Sequence, residues 1–266
     1  MAARTNGSWR VHGLSVEGYR HRRDNVPCQD AWSCATNGSV TVLAVADGAG
    51  SRPRSDEGSR LAVDLAVEHF GRLPASEGDG PFVNRVLRQA FLRVADDFAD
   101  STSGSGGGGS ADFATTLTVV VLAPGWLGHC SVGDGFVVLR AGTEDGERQF
   151  HLLPQPDAVS EYSNETVFLT SPDAARRMRT DCVRDEGVDA VLLSTDGLAQ
   201  AALSWSGGVP QSANESFAAA VLRSLDAGTV AAEDEKLAAL LRSDRLTALN
   251  GDDKTLLRAV RVGGAV

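Results

Sequence analysis

Four cysteines in 266 residues, at positions 28, 34, 130 and 182, make no CxxC pair. That scarcity excludes a disulfide framework and a zinc knuckle, and it fits reduced thiols in a cytosol. Long apolar runs are missing as well. No segment approaches the roughly 18 residues needed to span a bilayer, and the opening "MAARTNGSWRVHGLSVEG" lacks the apolar stretch of a secretory signal. Basic residues are in deficit, 25 Lys and Arg against 35 Asp and Glu, for a net charge of -10. A nucleic-acid binder needs a cationic face to neutralise phosphates, so that class is excluded. Also absent are a GxSxG elbow, a catalytic-cysteine signature, a P-loop and an internal repeat. These absences leave a cytoplasmic enzyme, with no membrane or nucleic-acid partner, as the expectation.

What is present is enough apolar material for a sizeable core, 42% of the chain. "WSCATNG" and "SVTVLAVAD" flank Asn37-Gly38, a hairpin signal. Leu61, Leu65, Ala66, His69 and Phe70 recur at helical spacing, behind Ser55, Asp56 and Glu57 suited to a cap and first turn. Phe82, Val83, Val86, Leu87, Ala90, Phe91, Val94 and Phe98 form a second, wider helical stripe. The Gly/Ser-rich stretch 101–112 reads as a flexible connection. Beyond it, "FATTLTVVVLA", "WLGHCSVGDG" and "FVVLRAG" predict an antiparallel meander, continued by "ETVFLTS" and "DAVLLSTDG". Helices are predicted in "NESFAAAVLRSLDAG" and "EDEKLAALLRSDRLTAL", and a last strand in "KTLLRAVRV". The order predicts an α+β fold of two sheets with helices outside, in a single domain over 1–266.

One pattern recurs. Apolar strands end in, or begin after, carboxylates: Asp47-Gly48, Asp134-Gly135, Asp196-Gly197, Asp252-Asp253 and Asp30. A single Asp-Gly is an ordinary turn. Five such sites, with strands roughly 5 Å apart, predict carboxylates converging at one sheet edge. Like charges brought together need a neutralising cation. Oxygen ligands without His or Cys partners select Mg²⁺ or Mn²⁺ over zinc, and two such ions sharing a water make a hydrolytic site that needs no covalent nucleophile.

The segments "HRRDNVPCQDAW", "VADGAGSRPRSDEGSRLAV", "FATTLTVVV", "VGDG", "LLSTDGL" and "GDDKTLL", in that order, resemble the metal-dependent protein phosphatases of the type-2C (PPM) class, in the bacterial branch with a PCQDA-type first motif. The resemblance runs from about residue 15 to 260. It implies a four-layer αββα sandwich and hydrolysis of phosphoserine and phosphothreonine in proteins by directly attacking water, opposed by a Ser/Thr kinase. Carried over by position, Asp47 bridges two Mn²⁺ or Mg²⁺ ions, the Gly48 carbonyl binds one, and Asp196 and Asp252 complete the other. Asp30 holds a metal-bound water, and Asp134 helps bind a third, weaker ion.

The best-known members carry an Arg five residues before the first-motif Asp; here that position is Asn25. Arg22 or Arg23 stands in as the phosphate clamp, or else forms a solvated basic turn. Arg52 and Arg54 are weaker candidates. His21 is a general acid for the leaving group, or a structural histidine. Cys28 reads as packing, and "RRMR" (176–179) as an exposed helix face or a dock for acidic phosphopeptides. Two rival functions stand beside the protein phosphatase: a catalytically weak regulatory module of the same fold, and a metal phosphohydrolase acting on a small phosphorylated molecule.

Overall fold

The computed structural model describes residues 8–262, apart from 76–78, 105–108, 143–145, 156–165, 185–186 and 228–229. A strand, β1 (Ser8–Val16), and a short helix, α1 (Tyr19–Asp24), precede the hairpin of β2 (Asp30–Asn37) and β3 (Val40–Asp47). Two long helices follow, α2 (Ser55–Phe70) and α3 (Gly80–Ser103). Then come β4 (Leu117–Ala123), β5 (Trp126–Val132), β6 (Phe136–Gly142) and β7 (Arg148–Leu152). The single turn α4 (Ala174–Arg177) leads into β8 (Arg179–Val183) and β9 (Val188–Ser194). A turn of helix, α5 (Ala199–Ala202), and a small hairpin, β10 (Leu203–Ser206) with β11 (Val209–Ala213), come next. Helices α6 (Glu215–Ala227), α7 (Val230–Leu241) and α8 (Asp244–Leu249) lead to β12 (Lys254–Val262).

Two five-stranded antiparallel sheets result, ordered β1-β12-β9-β6-β7 and β2-β3-β4-β5-β8. Strands buried on both faces explain the unbroken apolar run of β3. Val42, Ala44 and Ala46 pack with Phe70, Phe91 and Phe98 of α2 and α3, whereas Leu43 and Val45 pack with Val191, Leu193 and Leu257 of the other sheet. On the far side, Leu192, Leu256 and Val260 pack beneath Val221, Leu222 and Leu225 of α6 and Leu237 and Leu241 of α7. Each fully buried Leu or Phe contributes about 1.5–3 kcal/mol relative to exposure. The expected four-layer αββα sandwich is therefore the observed architecture. Among the described residues no helix is long and apolar enough to cross a membrane.

Several expectations need correction. β4, β5 and β6 are not one meander: the chain crosses between sheets after β5, and β6 pairs with β9. The crossing falls at Gly133, whose φ of +99° suits glycine alone among the common residues. Alternation along each strand looks the same whether a chain turns back beside its neighbour or steps to a second sheet, so sequence periodicity is blind to this step. In "ETVFLTS", the described residues 166–171 form no strand; Leu169 instead plugs the α2–α3 core and its N–H donates to Thr115 O at 2.7 Å. The helix predicted over 233–249 breaks at Ser243, whose Oγ accepts from Leu246 N and starts α8. Ser55 does not cap α2; it is the first helical residue and its hydroxyl donates to Arg52 O. The Gly/Ser connection is shorter than 101–112, because 101–103 finish α3 and Ser110–Phe113 form a 3-10 turn. The hairpin turn centres on Gly38 and Ser39, with Asn37 paired to Val40.

Candidate metal-binding cleft

Strand register brings the five acidic positions to one end of the sandwich. Asp30, the first residue of β2, pairs directly with Asp47, the last of β3. In the other sheet, Ser194 at the end of β9 faces both Phe136 at the start of β6 and Leu256 near the start of β12. Asp134, Asp196 and Asp252 lie within two to four residues of those three strand ends, so both sheets deliver carboxylates to the same cleft.

Threonines hold the backbone there. Thr116 Oγ1 accepts from Asp47 N at 2.9 Å, while Thr116 N and Thr115 Oγ1 both donate to Asp47 O. Thr195 Oγ1 donates to Asp30 Oδ2 at 2.7 Å and accepts from Thr255 N, tying one sheet to the other across the cleft. Gly48 is wedged between chains: a Cβ there would lie 2.6 Å from Ser55 O and 2.7 Å from Gln29 O. Any larger residue would displace the Asp47 turn. Lys254, buried, donates from Nζ to Asn250 O at 2.7 Å and Asp252 O at 2.8 Å, shaping the loop that carries Asp252.

The electrostatics are those of a site short of positive charge. Burial, with the charges of Asp253 and Asp196 beside it, raises the Asp30 carboxyl to about 8 against the opposing bond from Thr195. Burial also drives Asp47 well above the usual carboxylate range, reinforced by Asp30, Asp196, Asp134 and Asp252. Asp196 rises to about 6 through burial and the charges of Asp134 and Asp252. Asp134 accepts from Thr166 at one oxygen, but its buried Oδ1 has no partner.

Hard divalent cations suit this donor set, which offers carboxylate and carbonyl oxygens and like charges that a cation would relieve. Among the described residues no three His, Cys, Asp or Glu side chains are drawn together as a ready-made metal site. Ions of the Mg²⁺ type keep several waters and need few direct protein ligands. The residues therefore fit such ions.

The remaining candidates separate. His21 Nδ1 is 2.8 Å from Asp253 Oδ1. Arg23 forms a two-pronged bond with Asp24 on the exposed side of α1, while Arg22 lies near Glu17 and Lys254, whose titration its charge affects. Asn25 closes α1 in the left-handed conformation, φ 56° and ψ 39°, a role Asn accepts readily. The basic segment is thus a short helix. Arg54 forks onto Glu57 and stacks 4.1 Å over Phe113, which makes it part of the α2 entrance. Burial pushes the Cys28 thiol up, and its Sγ lies 3.7 Å from Asp30 O, in keeping with packing. In "RRMR", Arg176 and Arg177 are exposed on α4, Met178 is buried, and Arg179 opens β8 with bonds to Pro154 O and Ser131 Oγ.

Sequence reasoning assigned no role to Asp253, Thr195, Thr115, Thr116 or Lys254. A signal existed for one of them. Two acids in succession before a strand must point to opposite faces, so only one of Asp252 and Asp253 can face outward.

Comparison with known proteins places the fold and the family. Serine/threonine-protein phosphatase 3 of Escherichia coli (strain K12) is 29% identical over 261 residues, spanning 95% of this chain and 98% of its own. A solved S. agalactiae serine/threonine phosphatase superposes with a TM-score of 0.66 at 16% identity, covering 96% of this chain and 100% of that one. The catalytic domain of the phosphatase PstP, solved with two manganese ions, gives 0.60 at 20% identity, covering 96% and 99%. A family model described as Protein phosphatase 2C matches residues 17–242, and the chain belongs to that family.

Proposed function

We propose that this protein is a metal-dependent phosphatase that hydrolyses phosphoserine and phosphothreonine in proteins. The observation that carries the reading is that the charges of Asp30, Asp134, Asp196 and Asp252, brought from both sheets, all act on the carboxyl of Asp47, and that Asp30 pairs with Asp47 in register. Asp47, the Gly48 carbonyl, Asp196 and Asp252 would hold two Mn²⁺ or Mg²⁺ ions, and Asp134 a weaker third. Such ions, when bound, lower the pKa of a coordinated water and offset charge on the phosphoryl group.

Asp30, which accepts from Thr195 Oγ1, would orient the attacking water. The water oxygen forms the new bond to phosphorus and its proton passes to solvent. The serine or threonine oxygen leaves with the electron pair of the broken P–O bond and takes a proton from His21. Arg22 or Arg23 at the rim of α1 would engage the phosphate oxygens, Arg23 by exchanging Asp24 for substrate. The substrates are phosphorylated proteins, and a Ser/Thr kinase is the opposing activity.

Hydrolysis of a phosphothreonine peptide with Mn²⁺, with chelator, and by Asp47→Asn with Mn²⁺ tests the reading. Turnover only in the first condition is expected. Equal turnover on sugar phosphates or nucleotides would instead favour a small-molecule phosphohydrolase. Absence of turnover from the folded, Mn²⁺-loaded protein would favour a regulatory module.

A further inference from the structure

Asp253 is 3% exposed, yet it makes more directed contacts than any of the cleft aspartates. Its Oδ1 accepts from Gly18 N at 2.6 Å and lies 2.8 Å from His21 Nδ1, and its Oδ2 accepts from Gln29 N at 2.7 Å. These three partners come from the entrance to α1, from α1 itself, and from the residue before Asp30. One carboxylate therefore sets the position of the short helix relative to the cleft. Two oxygens facing three N–H donors satisfy the geometry without a water or a cation.

We propose that Asp253 is the positioning residue for His21, holding its imidazole so that Nε2 delivers the proton to the leaving oxygen; this rests on the phosphatase reading above. A carboxylate accepts only, so His21 Nδ1 is the donor in this pair and Nε2 is the nitrogen left to exchange a proton with substrate. Asn at 253 would present an NH₂ group to one of the same N–H donors. α1 buries no side chain of its own, so Asp253 supplies the order that packing does not.

General-acid help matters in proportion to the basicity of the leaving group. An alkyl oxygen of threonine needs the proton, whereas p-nitrophenolate leaves without it. The test measures kcat on a phosphothreonine peptide and on p-nitrophenyl phosphate for the wild type, His21→Gln, Asp253→Asn and the double variant. His21→Gln is expected to lose about 100-fold on the peptide and little on the aryl ester. Asp253→Asn should show the same selective loss, with no further loss in the double variant. In ¹⁵N-labelled, metal-free wild type, a downfield Nδ1–H resonance of His21 should be present, and it should vanish in Asp253→Asn.

Equal losses on both esters in folded Asp253→Asn would overturn the assignment. If that variant does not fold, the absence of the Nδ1–H resonance in wild type, or an unselective His21→Gln, overturns it instead. A wild type that hydrolyses neither ester overturns the phosphatase reading itself, a result distinct from these.

Discussion

The middle of β12 and the cleft beside its start bury charge in opposite ways. In the middle, Arg258, fully buried, donates to Ser224 Oγ at 2.8 Å and to His12 Nδ1 at 2.7 Å, and lies 3.5 Å from Glu233. His12 Nε2 in turn lies 2.7 Å from Asp234 Oδ1, so cation, acids and imidazole answer one another within the chain. Beside the start of the strand, Asp30 is buried and Asp47 and Asp196 are half-buried among like charges, and burial raises all three. Lys254 stands close by, but its ammonium is engaged by the carbonyls of Asn250 and Asp252. The difference separates structural from functional burial. Where the role is to hold α6 and α7 on the sheet, the chain supplies the counter-charge; in the cleft, the proposed function assigns that part to bound metal ions.

The largest effect that would sharpen this contrast is on activity. Asp47→Asn should lower kcat/KM on a phosphothreonine peptide by about 1,000-fold, some 4 kcal/mol, while the chelated protein melts no lower than wild type. A lower melting temperature would mean that Asp47 supports the fold and would break the comparison. Arg258→Leu is expected to do the reverse, costing about 3–5 kcal/mol in urea unfolding because Glu233 is left buried without its partner. The activity of the folded fraction should persist.

A middle-sized effect concerns pH. Asp30 near 8 and Asp196 near 6, both raised from 3.8, bind protons more tightly folded than unfolded. Their contribution to stability is complete below about pH 4 and is lost as pH rises through 6 and 8. The chelated protein should therefore melt at lower temperature at pH 8.5 than at pH 5, and Mn²⁺ should remove most of that slope. Thermal unfolding across that range, with and without metal, decides it. The smallest effect is expected from Lys254→Met, which frees the carbonyls of Asn250 and Asp252. Calorimetry should find Mn²⁺ bound about 10-fold more weakly.

Much of this was legible in the residues. The binary pattern of β3 and β12 and the stripes of α2 and α3 are local facts, and they predicted the layers. Recurrence of Asp at strand ends predicted a cleft, because a strand's end is where its side chains meet those of its neighbours. The crossing at Gly133 was not legible, since a step to a second sheet leaves the alternation unchanged. Nor was β1, or the hairpin β10–β11, whose largely exposed residues carry little apolar contrast.

By itself, the sequence determined most of the core strands and helices, which of their faces would be buried, and that several strands would end at carboxylates. Those properties depend on neighbours a few positions away in the chain. Tertiary structure alone decided which acids meet. Asp30 reaches Thr195 across 165 residues, and Asp253 reaches His21 across 232, through pairings made between two sheets. It decided, too, that Asp252 stays exposed while Asp253 turns inward to take three hydrogen bonds. The reason is physical: a buried carboxylate must find its donors wherever the fold brings them, and donors so distant in sequence leave no periodic trace along it.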